Sequence, residues 1–455
     1  MNYFKRKKIS KSFSNSTFKF LSISSLFLFL LTGYLRTRTL KPWNDEFVSL
    51  VSGLNFYYER LDFIGPFNSQ YYISYSPKLT AGPISSIGGV LTWPFFDNIY
   101  LLRFSNLLYL IILSVFLISV SVNAFSFKSN NWNLGLVVLV IFSIMNTSWW
   151  YGVLYFLPET ISAVLFVHAV LLFGYHRKFS IIIMSTSIFF GDFLTVLMFV
   201  GFYLATIIKE KSLKNLIFDA IYASAPLLLW VILVLNFSDF NLNNYLQEYF
   251  EHYFKHRSAG EVNLSTSAII NNFLSSEVIN WGLADFLRIL LAPVAFGIIV
   301  YNIKSSIFIK GIGKLQIVLP VITIFLWFWL LSPAKSIIYS GLFTTYILIF
   351  LSYFLIYSQF SNKLFLYITV TLFSLFFSST LLVALMVLVL ALISFYKVES
   401  INKNNLIALL LVFIFLNQLN VIKETSIMET HVVNIESCKI SLKNLQCEKD
   451  YYFGK

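Results

Sequence analysis

Long apolar runs separated by short polar turns dominate this chain. They fall near 20–35, 104–124, 132–147, 157–174, 179–190, 193–208, 216–236, 286–303, 315–331, 337–357, 364–379, 380–396 and 405–420. Each reads as a helix, because an apolar run this long with at most one charge has no strand-like alternation and must satisfy its backbone internally in lipid. Two boundaries rest on local signals. The stretch 179–208 is long enough for one tilted helix, but Gly191 and Asp192 at its middle predict a turn between two short helices, since an unpaired carboxylate at mid-depth is costly. The uncharged 364–396 stretch is too long for one span, and "FSST" at 377–380 predicts a hairpin there. The pattern therefore predicts an all-α polytopic membrane protein with about 13 transmembrane helices.

Composition agrees with the pattern. The 455 residues are 58% hydrophobic and only 12% charged, and the mean hydropathy is +0.76, a load that no soluble core of this size requires. The net charge of +12 would point to nucleic acid in a soluble chain, but here the cations cluster in alternate turns. With the N-terminus inside, the internal turns hold Lys5, Arg6, Lys7, Lys8 and Lys11, then Lys128, Arg177 with Lys178, Lys209 to Lys214, Lys304 to Lys314, Lys363, and Lys397 with Lys403. That is the positive-inside distribution. "LTGYLRTRT" lacks a small-x-small cleavage site, so the first run is expected to be an uncleaved span.

This orientation divides the chain into a basic inner N-terminus (1–19), a membrane domain (20–420) with outer loops at 36–103 and 237–285, and a short outer tail (421–455). The two cysteines, Cys438 and Cys447, lie in that tail, where a local structural disulfide is one option. The first outer loop opens with "NDEFVSLVSGLNFYYERLDF", in which Phe47, Leu50, Val51, Leu54 and Tyr58 keep a helical period opposite Ser49, Ser52 and Asn55. Its second half, broken by Pro77, Gly82, Pro83, Gly88, Gly89 and Pro94, reads as irregular backbone lining a cavity.

The same face collects the chemistry. Asp45 and Glu46 follow the first span, and Glu159 follows Pro158 at the start of another. Asp192 sits at the predicted turn, and Lys78, Arg103, Arg288 and Lys335 are distributed over the outer loops and span ends. Carboxylates at membrane depth, cations able to hold a phosphate and abundant aromatics suit chemistry on a lipid-linked phosphosugar. Each residue also has a plainer explanation. Asn44 can cap a helix whose first turn carries Asp45 and Glu46, and Pro-Glu is a common helix start. Gly-Asp is a turn, and the cations can snorkel to the interface. His252 and His256 share a helical face but lack the further ligands of a zinc motif.

The order of these features resembles the integral-membrane glycosyltransferases of the C-type fold, especially the protein O-mannosyltransferases and the lipid A aminoarabinose transferases. The resemblance rests on the acid pair Asp45–Glu46 after the first span and on "SPKLTAGPISSIGG" leading to the second. It continues through "YLLRFSNLL" with Arg103, "YFLPETISAVLFV" with Glu159, and "WFWLLSPAKSIIYSGL" with Lys335. The chain departs from that pattern in three respects. It lacks an evident second outer acidic pair, it has Asp192 where many bacterial relatives have Thr-Lys, and it has no outer sugar-binding domain.

The resemblance implies an inverting transferase that uses a polyprenyl-phosphate-linked sugar at the outer face of a bacterial inner membrane, with a lipid, surface glycan or protein as acceptor. It implies catalytic roles for Asp45, Glu46 and Glu159, substrate-binding roles for Lys78, Arg103, Asp192, Arg288 and Lys335, and a possible divalent cation. Nucleic acid is not an expected partner. A polysaccharide polymerase or lipid-linked-glycan flippase is the alternative, and an ion-coupled transporter is disfavoured by the scarcity of charge within the spans.

Overall fold

The computed structural model describes residues 15–41, 98–125, 131–145, 158–190, 193–210, 212–237, 283–305, 311–331, 337–360 and 403–431, together with Ser267, Ile270, Ile368 and Thr369. Eleven helices account for most of them: α1 (Asn15–Thr39), α2 (Ile99–Ala124), α3 (Asn131–Ile144), α4 (Pro158–Leu172), α5 (Arg177–Phe190), α6 (Phe193–Lys209), α7 (Leu213–Phe237), α8 (Leu283–Asn302), α9 (Lys314–Leu326), α10 (Ile337–Tyr357) and α11 (Lys403–Ser426). A π-helical turn, Trp327–Leu331, extends α9. Two short strands, β1 (Ile303–Ser305) after α8 and β2 (Gln359–Phe360) after α10, pair antiparallel.

The helices follow the apolar runs closely. α5 ends at Phe190 and α6 begins at Phe193, on either side of the expected Gly-Asp turn. Of the runs at 364–379 and 380–396 only Ile368 and Thr369 are among the described residues, so the expected total of about 13 helices lies outside them. By length and composition, α1, α2 and α11 are long and apolar enough to cross a membrane, while α3, α4, α6, α8, α9 and α10 are shorter apolar helices. The outward faces are apolar: Phe20 and Phe27 on α1, Ile112 and Phe116 on α2, Ile207 and Ile208 on α6, and Val294 and Ile298 on α8 are exposed. Exposed apolar stripes on one helix after another are what a bundle presents to lipid.

Two boundaries differ from the apolar pattern. α1 continues to Thr39, past the expected edge at 35, and α2 starts at Ile99, so that Arg103 lies inside it. A charge is a good mark of a span's edge only when it needs water, and Arg103 finds protein carbonyls instead. Asn98 caps α2, its Oδ1 accepting from Tyr100 N at 3.0 Å and Leu101 N at 3.2 Å.

The core is built around α4, α10 and α3. Ala163 to Leu172 of α4 and Leu342 to Leu355 of α10 are buried almost without interruption. Polar bonds between helices fix their directions. Thr32 Oγ1 donates to Gln418 Oε1 at 2.9 Å and His431 N donates to Arg38 O at 2.9 Å, so α1 and α11 run parallel. Asn133 accepts from Tyr357 Oη at 2.7 Å while Ser143 and Ser352 lie 3.1 Å apart, which sets α3 antiparallel to α10. Ser162 meets Thr195 at 2.7 Å, joining the early turns of α4 and α6. Thr323 Oγ1 donates to Leu197 O at 2.9 Å and Gln316 Nε2 to Thr206 Oγ1 at 2.7 Å, so α6 and α9 are antiparallel. That pair approaches closely at Gly201, where any Cβ would come within 2.8 Å of Leu319 O. Small residues at such crossings are how helices pack without a hydrophobic drive between them.

Candidate functional site

These directions make consecutive described helices alternate, so that each end of the bundle collects a defined set of termini. One end gathers the last turns of α1, α3, α5, α7, α9 and α11 and the first turns of α2, α4, α6, α8 and α10. The helix termini at this end are the ones that flank, or carry, the sequence-selected residues. Asp45, Glu46 and Lys78 fall between α1 and α2, Asp192 between α5 and α6, and Lys335 between the π-helical turn and α10; these five lie outside the described residues. Glu159 is the second residue of α4 and Arg288 the sixth of α8, and for both the backbone alone is described. α4 begins at Pro158, where the missing N–H costs no helical bond.

Arg103 is the one candidate whose side chain is described, and it is fully buried. Its Nη1 donates to Thr37 O at 2.6 Å and to Leu40 O at 3.1 Å. Its described bonds go to carbonyls at the C-terminal end of α1, where a cation also meets the negative end of the helix dipole. Around it, Arg38 is exposed, with its guanidinium 5.7 Å from the ring centroids of both Tyr34 and Tyr100. Tyr100 Oη donates to His431 O at 3.0 Å. The apolar pattern gave no hint of this cluster, because Arg38, Tyr100 and His431 come from three distant parts of the chain. Cys438 and Cys447 lie outside the described residues, as do His252 and His256.

At the opposite end an ion-paired cluster joins three helices. Arg177, at the start of α5, donates through Nε and Nη2 to Asp219 of α7 at 2.8 and 2.5 Å. Its Nη1 lies 2.7 Å from both carboxylate oxygens of Glu210, just past α6. The bonds to Asp219, and then those to Glu210, hold the guanidinium pKa above its ordinary value despite partial burial. The Phe173 ring lies under the same group at 4.9 Å. Beside it, Lys209 Nζ donates to Gly311 O and, at 3.3 Å, to Gln316 Oε1, tying α6 to the turn before α9. Lys178, Lys209, Lys214 and Lys314 all belong to this end, so the described cations here match the basic clusters that the sequence assigns to the inner face.

Among the described residues no group of three or more His, Cys, Asp or Glu side chains comes together. His168 of α4, within an apolar run, is fully buried; its Nδ1 lies 2.7 Å from Val164 O and the ring meets the Tyr353 ring edge-to-face. A carbonyl only accepts, so Nδ1 carries the proton. "LFVHAVLL" was a legible signal of a buried polar group, and the sequence reading passed over it.

No family model matches the chain, and no curated protein matches it. Among solved structures, the crystal structure of ArnT from Cupriavidus metallidurans in the apo state is similar at 12% identity. The match covers 90% of this chain and 77% of that one, with a TM-score of 0.49. An overlay that loose leaves the functional argument on this chain's own residues.

Proposed function

We propose that this protein is an integral-membrane glycosyltransferase that moves a sugar from a polyprenyl-phosphate-linked donor to a lipid, surface glycan or protein acceptor. The reading places it in a bacterial inner membrane, with the reaction on the outer, periplasmic face and a product in the cell-envelope glycan. What supports it is that α4 and α8, which carry Glu159 and Arg288, begin at the end of the bundle where α1, α5 and the π-helical turn stop. Acids and phosphate-binding cations at a membrane surface suit transfer from a lipid-linked phosphosugar.

In this mechanism the Asp45 carboxylate takes the proton of the acceptor hydroxyl as its oxygen attacks the anomeric carbon. The carrier phosphate leaves from the opposite face with the bonding electron pair, so the anomeric configuration inverts. Lys78, Arg288 and Lys335 bind the phosphate and stabilise its growing charge, and a phosphate of low pKa leaves without a general acid. Glu46 and Glu159 orient the acceptor or support Asp45, and Asp192 contacts the substrate. Any divalent cation would draw on the acids of the Asp45–Glu46 segment and would supply further charge neutralisation at the phosphate; no step above depends on it.

The test is purified protein in lipid nanodiscs offered a panel of polyprenyl-phosphate sugars with lipid and glycan acceptors. The expected result is transfer from at least one donor with inverted anomeric configuration by NMR. Failure of every donor, or retention of configuration, refutes the proposal.

A further inference from the structure

Two arginines stand where α1 stops and α2 begins, and they are used differently. Arg103 is buried on carbonyls, whereas Arg38, in the last turn of α1, is exposed and pairs with no described carboxylate. Of the acids described near this end, Glu424 accepts from Asn420 at 2.7 Å, and neither it nor Glu429 forms an ion pair with Arg38. The Arg38 guanidinium is held in place all the same. Its Nη2 donates to Tyr34 Oη at 3.4 Å, and the group lies 5.7 Å from the ring centroids of both Tyr34 and Tyr100. Both rings are fixed in turn. Tyr34 meets Phe104 edge-to-face at 5.8 Å, and Tyr100 Oη donates to His431 O at 3.0 Å. A cation that only snorkels to water needs none of these contacts.

The surroundings are those of a lipid-facing seam. Gly33 lies against Leu107, Tyr34 against Phe104 and Arg38 against Tyr100, so α1 and α2 run antiparallel in contact. On α1 the exposed Phe20, Phe27 and Tyr34 recur every seven residues below Arg38, and on α2 Leu101, Leu108 and Ile112 are exposed. Arg38 is eleven residues from Phe27, about 16 Å along the helix, close to the hydrocarbon depth of about 15 Å in one leaflet.

We propose that Arg38, clasped by Tyr34 and Tyr100, binds the phosphodiester of an anionic phospholipid whose acyl chains lie along the α1–α2 seam. The planar fork of the guanidinium can meet two phosphate oxygens at once, which an ammonium cannot do. Charge selects an anionic lipid, because no described acid offsets Arg38 or pairs with it in place of the phosphate. His431 N donates to Arg38 O at 2.9 Å, so a headgroup on this arginine braces α1, α2 and the chain beyond α11 together. The site is independent of the transferase reading.

The test titrates the full-length protein in one detergent with phosphatidylglycerol, phosphatidylcholine of the same acyl chains, inorganic phosphate and a polyprenyl phosphate. Binding is read by native mass spectrometry and by Tm. Wild type should bind phosphatidylglycerol about tenfold more tightly than any of the other three and gain most in Tm from it. Arg38→Gln should lose about tenfold in that affinity, and Arg38→Lys about threefold. Lys19→Gln removes an exposed cation from the other end of α1 and should bind as wild type does. Tm without added lipid shows which variants fold. If Arg38→Gln does not, Arg38→Lys and Tyr34→Leu, each expected to lose about threefold, carry the test. Wild-type affinity for phosphatidylglycerol in the folded Arg38 variants overturns the proposal. So does an equal loss in Lys19→Gln, or a wild type that prefers phosphatidylcholine, inorganic phosphate or the polyprenyl phosphate.

Discussion

Two helical glycines are predicted to respond in opposite directions to the same substitution. Gly201 of α6 faces α9 so closely that a Cβ would lie 2.8 Å from Leu319 O, 3.0 Å from Leu319 C and 2.7 Å from Thr323 Oγ1. Comfortable C···O separation is about 3.4 Å, so Gly201→Ala forces the helices apart by roughly half an ångström against backbone that cannot rotate away. Overpacking of this kind costs about 1–3 kcal/mol, and weakening the Thr323 Oγ1 to Leu197 O bond adds about 1 kcal/mol. Against this, alanine is about 1 kcal/mol better than glycine in a helix. The net expectation is a loss of about 1–3 kcal/mol.

At Gly297 of α8 the nearest atom to an added Cβ is Val318 Cγ1 at 3.8 Å, an ordinary contact. Gly297→Ala therefore keeps the helical gain and should stabilise by about 0.5–1 kcal/mol. Thermal unfolding of the two variants and the wild type in one detergent, at one scan rate, reads the signs directly. The expected order of Tm is Gly297→Ala, wild type, Gly201→Ala. A Gly201→Ala protein as stable as the wild type would mean that α6 and α9 do not cross where the structure puts them.

At the ion-paired end, Asp219→Ala leaves Arg177 with Glu210 alone. Asp219 is nearly buried, with 3% of its side chain exposed, whereas Arg177 keeps 28%, so the cost should be about 1–3 kcal/mol rather than that of a fully buried pair. Because this cluster lies at the other end of the bundle from the helix termini that flank the proposed site, kcat measured well below Tm should be unaffected, and a large loss of turnover would contradict the proposed location. Between α1 and α11, Thr32→Val and Gln418→Leu should each cost about 0.6 kcal/mol in a denaturant titration, with the double variant costing no more than one of them; full additivity would show that the bond is absent.

The apolar runs predicted the described helices because lipid requires both continuous apolar sequence and internal backbone bonding, and the two requirements leave little choice of element. The break at 191–192 was legible for the same reason: a carboxylate in mid-span has no cheap place to go. What the pattern misjudged was Arg103. Periodicity reads a charge by its cost in lipid and takes it as an edge, whereas this guanidinium is inside a helix and bound to carbonyls 63 and 66 residues earlier in the chain. The donors to Thr37 O and Arg38 O at the end of α1 could not have been found by any local rule, since they come from α2 and from beyond α11. The partners of Arg177, Glu210 and Asp219, were likewise invisible.

The proposed mechanism depends most on Asp45 taking the proton from the acceptor. The direct measurement is transfer by wild type and Asp45→Asn with a polyprenyl-phosphate sugar that supports turnover, alongside donor binding and Tm for each. Loss of a general base should lower kcat by about a hundredfold or more, while donor affinity and Tm remain close to wild type. An Asp45→Asn protein that folds, binds donor and turns over at the wild-type rate would contradict the account.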